Sequence, residues 1–430
     1  MNWLVLLFLL IGAFLLISEY IRRNEIWKDR VAFYGPILAL KSARVGFFDF
    51  FQRYTSFFRV YGSIGVVAVV AISLLISLLL ILSVRFTLIF QPEPTGIYEP
   101  QNILLLPGIN EFVPSTFAVW FAFLLTIGIH ELGHGILCRI ERIRVRSVGA
   151  LIAVIPIGFF VEPDEEELEN LRGWPRLRMF GAGITNNLVI GFACFAIMIL
   201  LAGMLAPTAA PVIHGVYQGY PADIAGIPQN SFILGVNGTA VASREDVTAL
   251  LNRTAPGDTV DLLLLSGTAE SSYAVTLAAW PEELGNHTSG FMGIYYFDAA
   301  TGKQVIEGLG SPLGLLRMIS IPFDTSLEGK YLRVLAFDSA ETGYFTAPFP
   351  LFWEIVHLLF WSAWININVG MFNAIPMIPL DGGYIMQEGI TRTFERRGIG
   401  HLAKYVVAAI SWLMLVMLIA LIALPYLLHL

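Results

Sequence analysis

The chain has 430 residues, of which 56% are hydrophobic and only 14% charged, whereas soluble domains carry about 25% charged residues. That composition excludes an ordinary soluble domain and predicts an integral membrane protein in contact with the lipid bilayer. The formal charge of −7 offers no basic patch for a nucleic-acid partner, and Cys138 and Cys194, both in apolar runs, give neither a disulfide framework nor a cysteine metal site.

Apolar runs of about 20 residues predict a membrane α-helical fold of about six transmembrane helices, near 3–19, 60–84, 117–138, 179–205, 353–377 and 403–428. The first run has no basic residue before it and Arg22 and Arg23 directly after it, so it is expected to be a retained anchor with an outside N-terminus. Residues 22–59 follow, rich in Arg and Lys, and the positive-inside rule makes them cytoplasmic. Their phenylalanines, Phe47, Phe48, Phe50, Phe51, Phe57 and Phe58 among them, interleave with the basic residues. That pattern fits a segment lying in the headgroup layer, or else a small aromatic core of its own.

Residues 85–116 hold one basic residue and three Glu and are expected outside, so the third run is directed inward. It reads FAVWFAFLLTIGIHELGHGILC and carries His130, Glu131 and His134. Two histidines four apart share one helix face and can reach a single zinc ion, and an ionisable group at membrane depth is a functional hypothesis by default. Arg139, Arg142, Arg144 and Arg146 follow on the inner side. Val148–Pro163 is too short and too interrupted by Gly and Pro to span, which predicts strands or a re-entrant, membrane-associated β-hairpin. Asp164–Glu169 is expected to be a solvated loop. The fourth run opens with FGAGITNNLVIG, whose small residues suit close packing while Asn186 and Asn187 need polar partners.

Residues 206–350 are the only large polar block, with six basic and 14 acidic residues, and are expected to be extracytosolic. The three sequons at Asn237, Asn252 and Asn286 all fall there. A strand, a turn at Pro221, a short helix and a strand ending at Asn237-Gly238 are predicted, then a helix over 243–252 from a Ser243 cap and strands over 260–265 and 272–277. This is a small α/β module. The fifth run ends in NVGMFNAIPMIPLDGGYIMQ, where Pro376 and Pro379 must break the helix and present Asp381 at the inner side. A catalytic zinc wants three protein ligands. Asp381 is at the right depth to be the third, with Glu354, at the outer end of the fifth helix, as its competitor. The resulting domain plan is an anchor and interfacial segment over 1–59, a membrane core over 60–205 and 351–430, and an inserted block over 206–350.

HELGH at 130–134, AGITNN at 182–187 and NAIPMIPLDG at 373–382 together resemble the site-2 proteases, a family of polytopic intramembrane zinc metalloproteases. The resemblance implies that His130, His134 and Asp381 bind Zn2+, that Glu131 is the general base and acid, and that Asn187 holds the substrate or the developing oxyanion. Where the family often has Pro, this chain has Ile184. Residues 212–283 resemble the PDZ module of many members, with Asn230-Ser231 in place of the customary Gly-Asp turn. The resemblance further implies regulated intramembrane proteolysis of membrane-spanning protein substrates, pre-trimmed by another protease. The charge pattern of the loops predicts a multi-pass protein of the cell membrane, with the active site toward the cytoplasm and the PDZ-like domain outside.

Two other classes remain in view. A membrane desaturase would need several histidine-rich boxes for a di-iron centre, yet only His130 and His134 of the seven histidines are paired. A catalytically inactive scaffold binding partners through the PDZ-like domain would need neither Glu131 nor Asp381.

Overall fold

The computed structural model describes all residues except 1, 2, 29, 104, 209, 268, 286 and 430, and all their side chains except those of 3–8, 103, 155 and 327. Asn286 of the third sequon therefore lies outside the described residues. Two compact units account for the chain, Met1–Phe195 with Trp361–Leu430, and Ala196–Phe360.

The first unit begins with α1 (Trp3–Arg23) and a hairpin of β1 (Val31–Tyr34) and β2 (Ile37–Ser42) that turns at Gly35 with φ +61°. A 3-10 helix, Gly46–Tyr54, leads into α2 (Thr55–Phe90). The helix α3 (Phe117–Ile140) starts at a Thr116 cap whose hydroxyl accepts from Val119 N–H. After it come β3 (Val145–Ala153), β4 (Ile155–Pro163), α4 (Glu165–Asn170) and α5 (Trp174–Ala202). The acidic stretch expected as a loop is thus a short helix, capped by Asp164, which accepts from Glu167 N–H.

The four strands form one antiparallel sheet in the order β1-β2-β3-β4. Residues 148–162 do form a hairpin, but residues 31–42 extend it by two strands. Lys41 on β2 reaches across β3 to Glu162 on β4 at 3.1 Å, and the Ser147 hydroxyl donates to the same carboxylate. These two partners hold the Glu162 carboxyl below its usual range, the serine contributing most. Neither aromatic reading of residues 22–59 holds alone. Phe48 is buried against Ile136, Leu137 and Ile140 of α3, while Phe47, Phe50 and Phe57 remain half-exposed or more.

The second unit contains β5 (Ala206–Pro207), β6 (Pro211–Val216), α6 (Pro221–Ile224), β7 (Ser231–Val236), β8 (Thr239–Ala240), α7 (Arg244–Leu251), β9 (Thr259–Ser266) and β10 (Ala269–Thr276). Then follow β11 (Ile294–Asp298), α8 (Ala299–Glu307), α9 (Gly314–Ser320), α10 (Leu327–Arg333) and β12 (Phe345–Thr346). Its main sheet runs β10-β9-β7-β6-β11, with β8 on β7. Ile213, Val236, Val247, Leu262 and Leu264 meet in its core. Asn230 adopts φ +62°, the left-handed conformation that Asn tolerates, and Ser243 with Asp246 closes a capping box on α7.

The chain returns to the first unit through α11 (Phe352–Asn373), α12 (Asp381–Arg396) and α13 (Ala403–Leu427). Within α11 the amide nitrogens of Asn366, Asn368 and Asn373 each donate to the carbonyl four residues earlier, while Asn366 Oδ1 stays buried without a partner. Among the described residues five helical segments are long and apolar enough to cross a membrane: Gly46–Phe90, Phe117–Ile140, Trp174–Ala202, Phe352–Asn373 and Gly400–Leu427. The expected first span is the 21-residue α1, whose opening side chains fall outside the description.

Candidate metal centre

On α3 the four-residue spacing sets His130 and His134 on one face. The third group arrives from a chain break. Pro376 and Pro379 lack the N–H that would continue α11, so helix stops at Asn373 and resumes at Asp381, the first residue of α12. A carboxylate there is favoured by the helix dipole. Close packing holds the break against the new helix: a Cβ on Gly382 would lie 2.4 Å from the Ala374 carbonyl oxygen, and one on Gly383 2.4 Å from the Met377 carbonyl carbon. The Asp-Gly-Gly sequence is therefore what the turn permits.

These elements bring His130, His134 and Asp381 into one cluster of potential metal ligands. Asp381 Oδ2 lies 3.1 Å from His130 Nε2 and 3.3 Å from His134 Nε2, and the two Nε2 atoms are 3.2 Å apart. Ligand atoms around a tetrahedral zinc with bonds of 2.0–2.1 Å stand about 3.3 Å from each other. The triangle is thus the right size for one zinc ion. Asp381 Oδ2 is buried and has no hydrogen-bond partner, an orphan that a dication in the triangle would satisfy. Glu354 stands in the first turn of α11 and is not in the cluster.

Outer contacts set the histidine tautomers. His134 Nδ1–H donates to the Met179 carbonyl at 2.9 Å, which leaves Nε2 with its lone pair facing the triangle. The amide of Asn187 lies 3.2 Å from His130 Nδ1, and its Oδ1 is buried without a partner. Turned so that this oxygen faces the ring, the amide accepts Nδ1–H and leaves His130 Nε2 free for a metal. Asn186 sits on the next position of α5, where it donates to the Ile129 carbonyl and accepts from the Tyr61 hydroxyl.

At Gly183 the imidazoles leave no room for a side chain. A Cβ at that position would stand 2.6 Å from His130 Nε2 and from His134 Nε2, and one at Gly133 would stand 2.7 Å from the Ala182 carbonyl oxygen. The two helices cross over the ligands with no room for side chains. Glu131 faces the sheet, where its Oε2 accepts Val161 N–H of β4 at 2.9 Å. Val161 pairs with Val148 in the β3–β4 ladder, so this N–H marks the outer edge of β4 as the edge turned to the carboxylate. Sequence reasoning singled out Glu131, Asn187 and the three ligands but not Gly183, Met179 or Val161. Two of those act through backbone atoms, which residue identity does not report. Gly183 lies within the small-residue run already expected to pack closely.

Peptidase family M50 matches residues 118–418 of this chain. The chain is 30% identical over 159 residues to a membrane-bound transcription factor site-2 protease homolog of Arabidopsis thaliana, covering 36% of this chain and 30% of that one. Proteins bearing the name "Putative zinc metalloprotease" are similar at 25% identity in Streptococcus pneumoniae, covering 60% of this chain and 61% of that one, and at 23% in Rhizobium meliloti, covering 73% and 96%. The matched region thus spans 30% of the first of these relatives and 61% of the second. Among solved structures, the PDZ domain of an SdrC-like protein from Listeria monocytogenes is similar at 18% identity, over 21% of this chain and 90% of that one, with a TM-score of 0.19.

Proposed function

We propose that this chain, which belongs to Peptidase family M50, is a zinc-dependent endopeptidase that hydrolyses a peptide bond in or near the transmembrane segment of membrane-anchored proteins. The observation that carries this reading is the 3.1–3.3 Å triangle of donor atoms from His130, His134 and Asp381, set among apolar helices with Glu131 beside it. Zinc held by these three side chains supplies a Lewis acid that brings the pKa of a water toward about 7 and polarises a carbonyl. Glu131 then takes a proton from the attacking water at its carboxylate and returns it to the departing nitrogen. Asn187 is a positioning residue for His130, given its buried place against that ring.

A membrane helix hides its carbonyls in internal hydrogen bonds, so the substrate must unwind and find new partners. The outer edge of β4 offers them next to Glu131, and a peptide strand added there passes the carboxylate. A substrate carbonyl bonding to Val161 N–H competes with Glu131 for that donor and frees the base. For the second unit we propose a PDZ-like module outside the membrane, tethered between the fourth and fifth of the spans expected from sequence. A groove of about 470 Å³ beside α7 and β11, lined in part by Arg244, Trp280 and Phe291, would take the new C-terminus of a pre-trimmed substrate.

The test is proteomic. Membranes from cells carrying the Glu131→Gln variant should accumulate membrane-anchored stubs that disappear with the wild-type chain. Identical membrane proteomes for the two would favour the scaffold reading instead.

A further inference from the structure

Beyond the metal ligands, the inner end of α3 carries a second chemical feature. Arg139, at its last turn, and Arg142 and Arg144, just after it, join Arg59 of α2 and Gln52 and Thr55 around a cleft of about 570 Å³. No carboxylate lines it. Asp49 pairs with Arg139 at 2.5 Å, and Glu141 is shared between Arg178 at 2.8 Å and Arg59 at 3.6 Å. Two carboxylates therefore serve three guanidinium groups, and among the described residues no ion pair holds Arg142 or Arg144. Arg139 Nε is buried with no hydrogen-bond partner. Arg142 adopts φ +66°, a conformation that non-glycine residues rarely take. Glu167 accepts the Arg144 backbone N–H at 2.6 Å but no guanidinium, so the cleft keeps excess positive charge.

What lies beside it points to the source of the anion. Phe47, Phe50 and Tyr54 of the 3-10 helix are about half-exposed, as aromatic residues are at a membrane interface. From there Phe57, Val60, Ile64 and Val67 form an exposed apolar stripe along α2 at helical spacing. We propose that the cleft binds the phosphate of an anionic phospholipid, with the headgroup among the arginines and the acyl chains along that stripe. Guanidinium forks match phosphate oxygens, and basic pockets between membrane helices take anionic headgroups. Free phosphate would use the arginines and leave the aromatic and apolar surface uncovered.

The binding has a consequence for the metal centre. The 3-10 helix on one wall of the cleft also delivers Phe48, whose ring lies 2.2 Å from where a Gly135 Cβ would be, one residue past His134. A headgroup bridging α2 and the end of α3 braces that wedge and the helix that holds both histidines.

Native mass spectrometry on the purified full chain tests this, with phosphatidylglycerol, phosphatidylcholine and inorganic phosphate as the three probes. The wild-type chain should retain phosphatidylglycerol over phosphatidylcholine by about tenfold or more, and inorganic phosphate should not displace it. The Arg142→Gln/Arg144→Gln chain should lose that preference. Arg59→Gln, from the opposite wall, should weaken it independently, and helical circular dichroism monitors folding in both. An unchanged preference in the variants would overturn the site, and displacement by inorganic phosphate would show a free-anion site in its place.

Discussion

Gly183 shows how a single absent side chain can decide a metal site. Its α-carbon faces both imidazoles at a distance that no Cβ can occupy, so Gly183→Ala must push α5 away from α3 or turn the rings. Zinc content measured on the purified variant should fall at least several-fold while the helical circular dichroism is retained, and full occupancy would show that the helices yield. Asn187 raises a separate question, whether it orients His130 or touches substrate. If it orients the ring, Asn187→Asp should keep zinc, since a carboxylate accepts Nδ1–H equally well, whereas Asn187→Leu should lower zinc affinity about ten- to a hundredfold. A leucine variant that binds zinc normally yet does not cleave would assign Asn187 to the substrate. The residues of this site were legible in the sequence because their chemistry is unusual in hydrocarbon. Their fine roles were not, since those depend on which backbone group stands opposite each ring.

At the scale of elements, the sheet beside α3 governs how a substrate can approach. β4 keeps one edge free, and the N–H of Val161 on that edge is bonded to Glu131. Proline is tolerated where a strand's N–H does not serve the ladder. Val161→Pro should therefore keep the hairpin and the zinc while lowering the cleavage rate about ten- to a hundredfold, the worth of a hydrogen bond to a charged group. Unchanged cleavage would show that neither the carboxylate nor the substrate depends on this edge. The hairpin itself was readable from Val148–Pro163, but β1 and β2 were not. Each is at most six residues long, and β2 lies between two strands with both faces partly covered, so its alternation is weak. β11 escaped for another reason: its partner β6 lies about 80 residues earlier, and only the fold brings them together.

For the whole molecule, the positive-inside rule predicts that the basic segments 22–59 and 388–402, the latter carrying Arg392, Arg396 and Arg397, lie on one side and 206–350 on the other. Cysteines introduced into those segments should label from outside only in 206–350, with the other two reached after permeabilisation. The reverse pattern would invert the orientation and move the metal centre to the outer half of the membrane. The architecture was legible to the extent that hydrocarbon enforces it, since long apolar runs can only be helices there. Which of them meet at the zinc triangle was set by three-dimensional packing across 247 residues between His134 and Asp381, and sequence spacing holds no such information.

The claim on which the rest depends is that His130, His134 and Asp381 together hold one zinc ion. Metal analysis of the detergent-purified chain beside Asp381→Ala measures it directly, because two histidines alone leave the ion undercoordinated. The wild-type chain should carry about one zinc and the variant about tenfold less or lower still, with both proteins inserted and folded. Equal zinc in the two proteins, or none in the wild type after growth in zinc-sufficient medium, would contradict it.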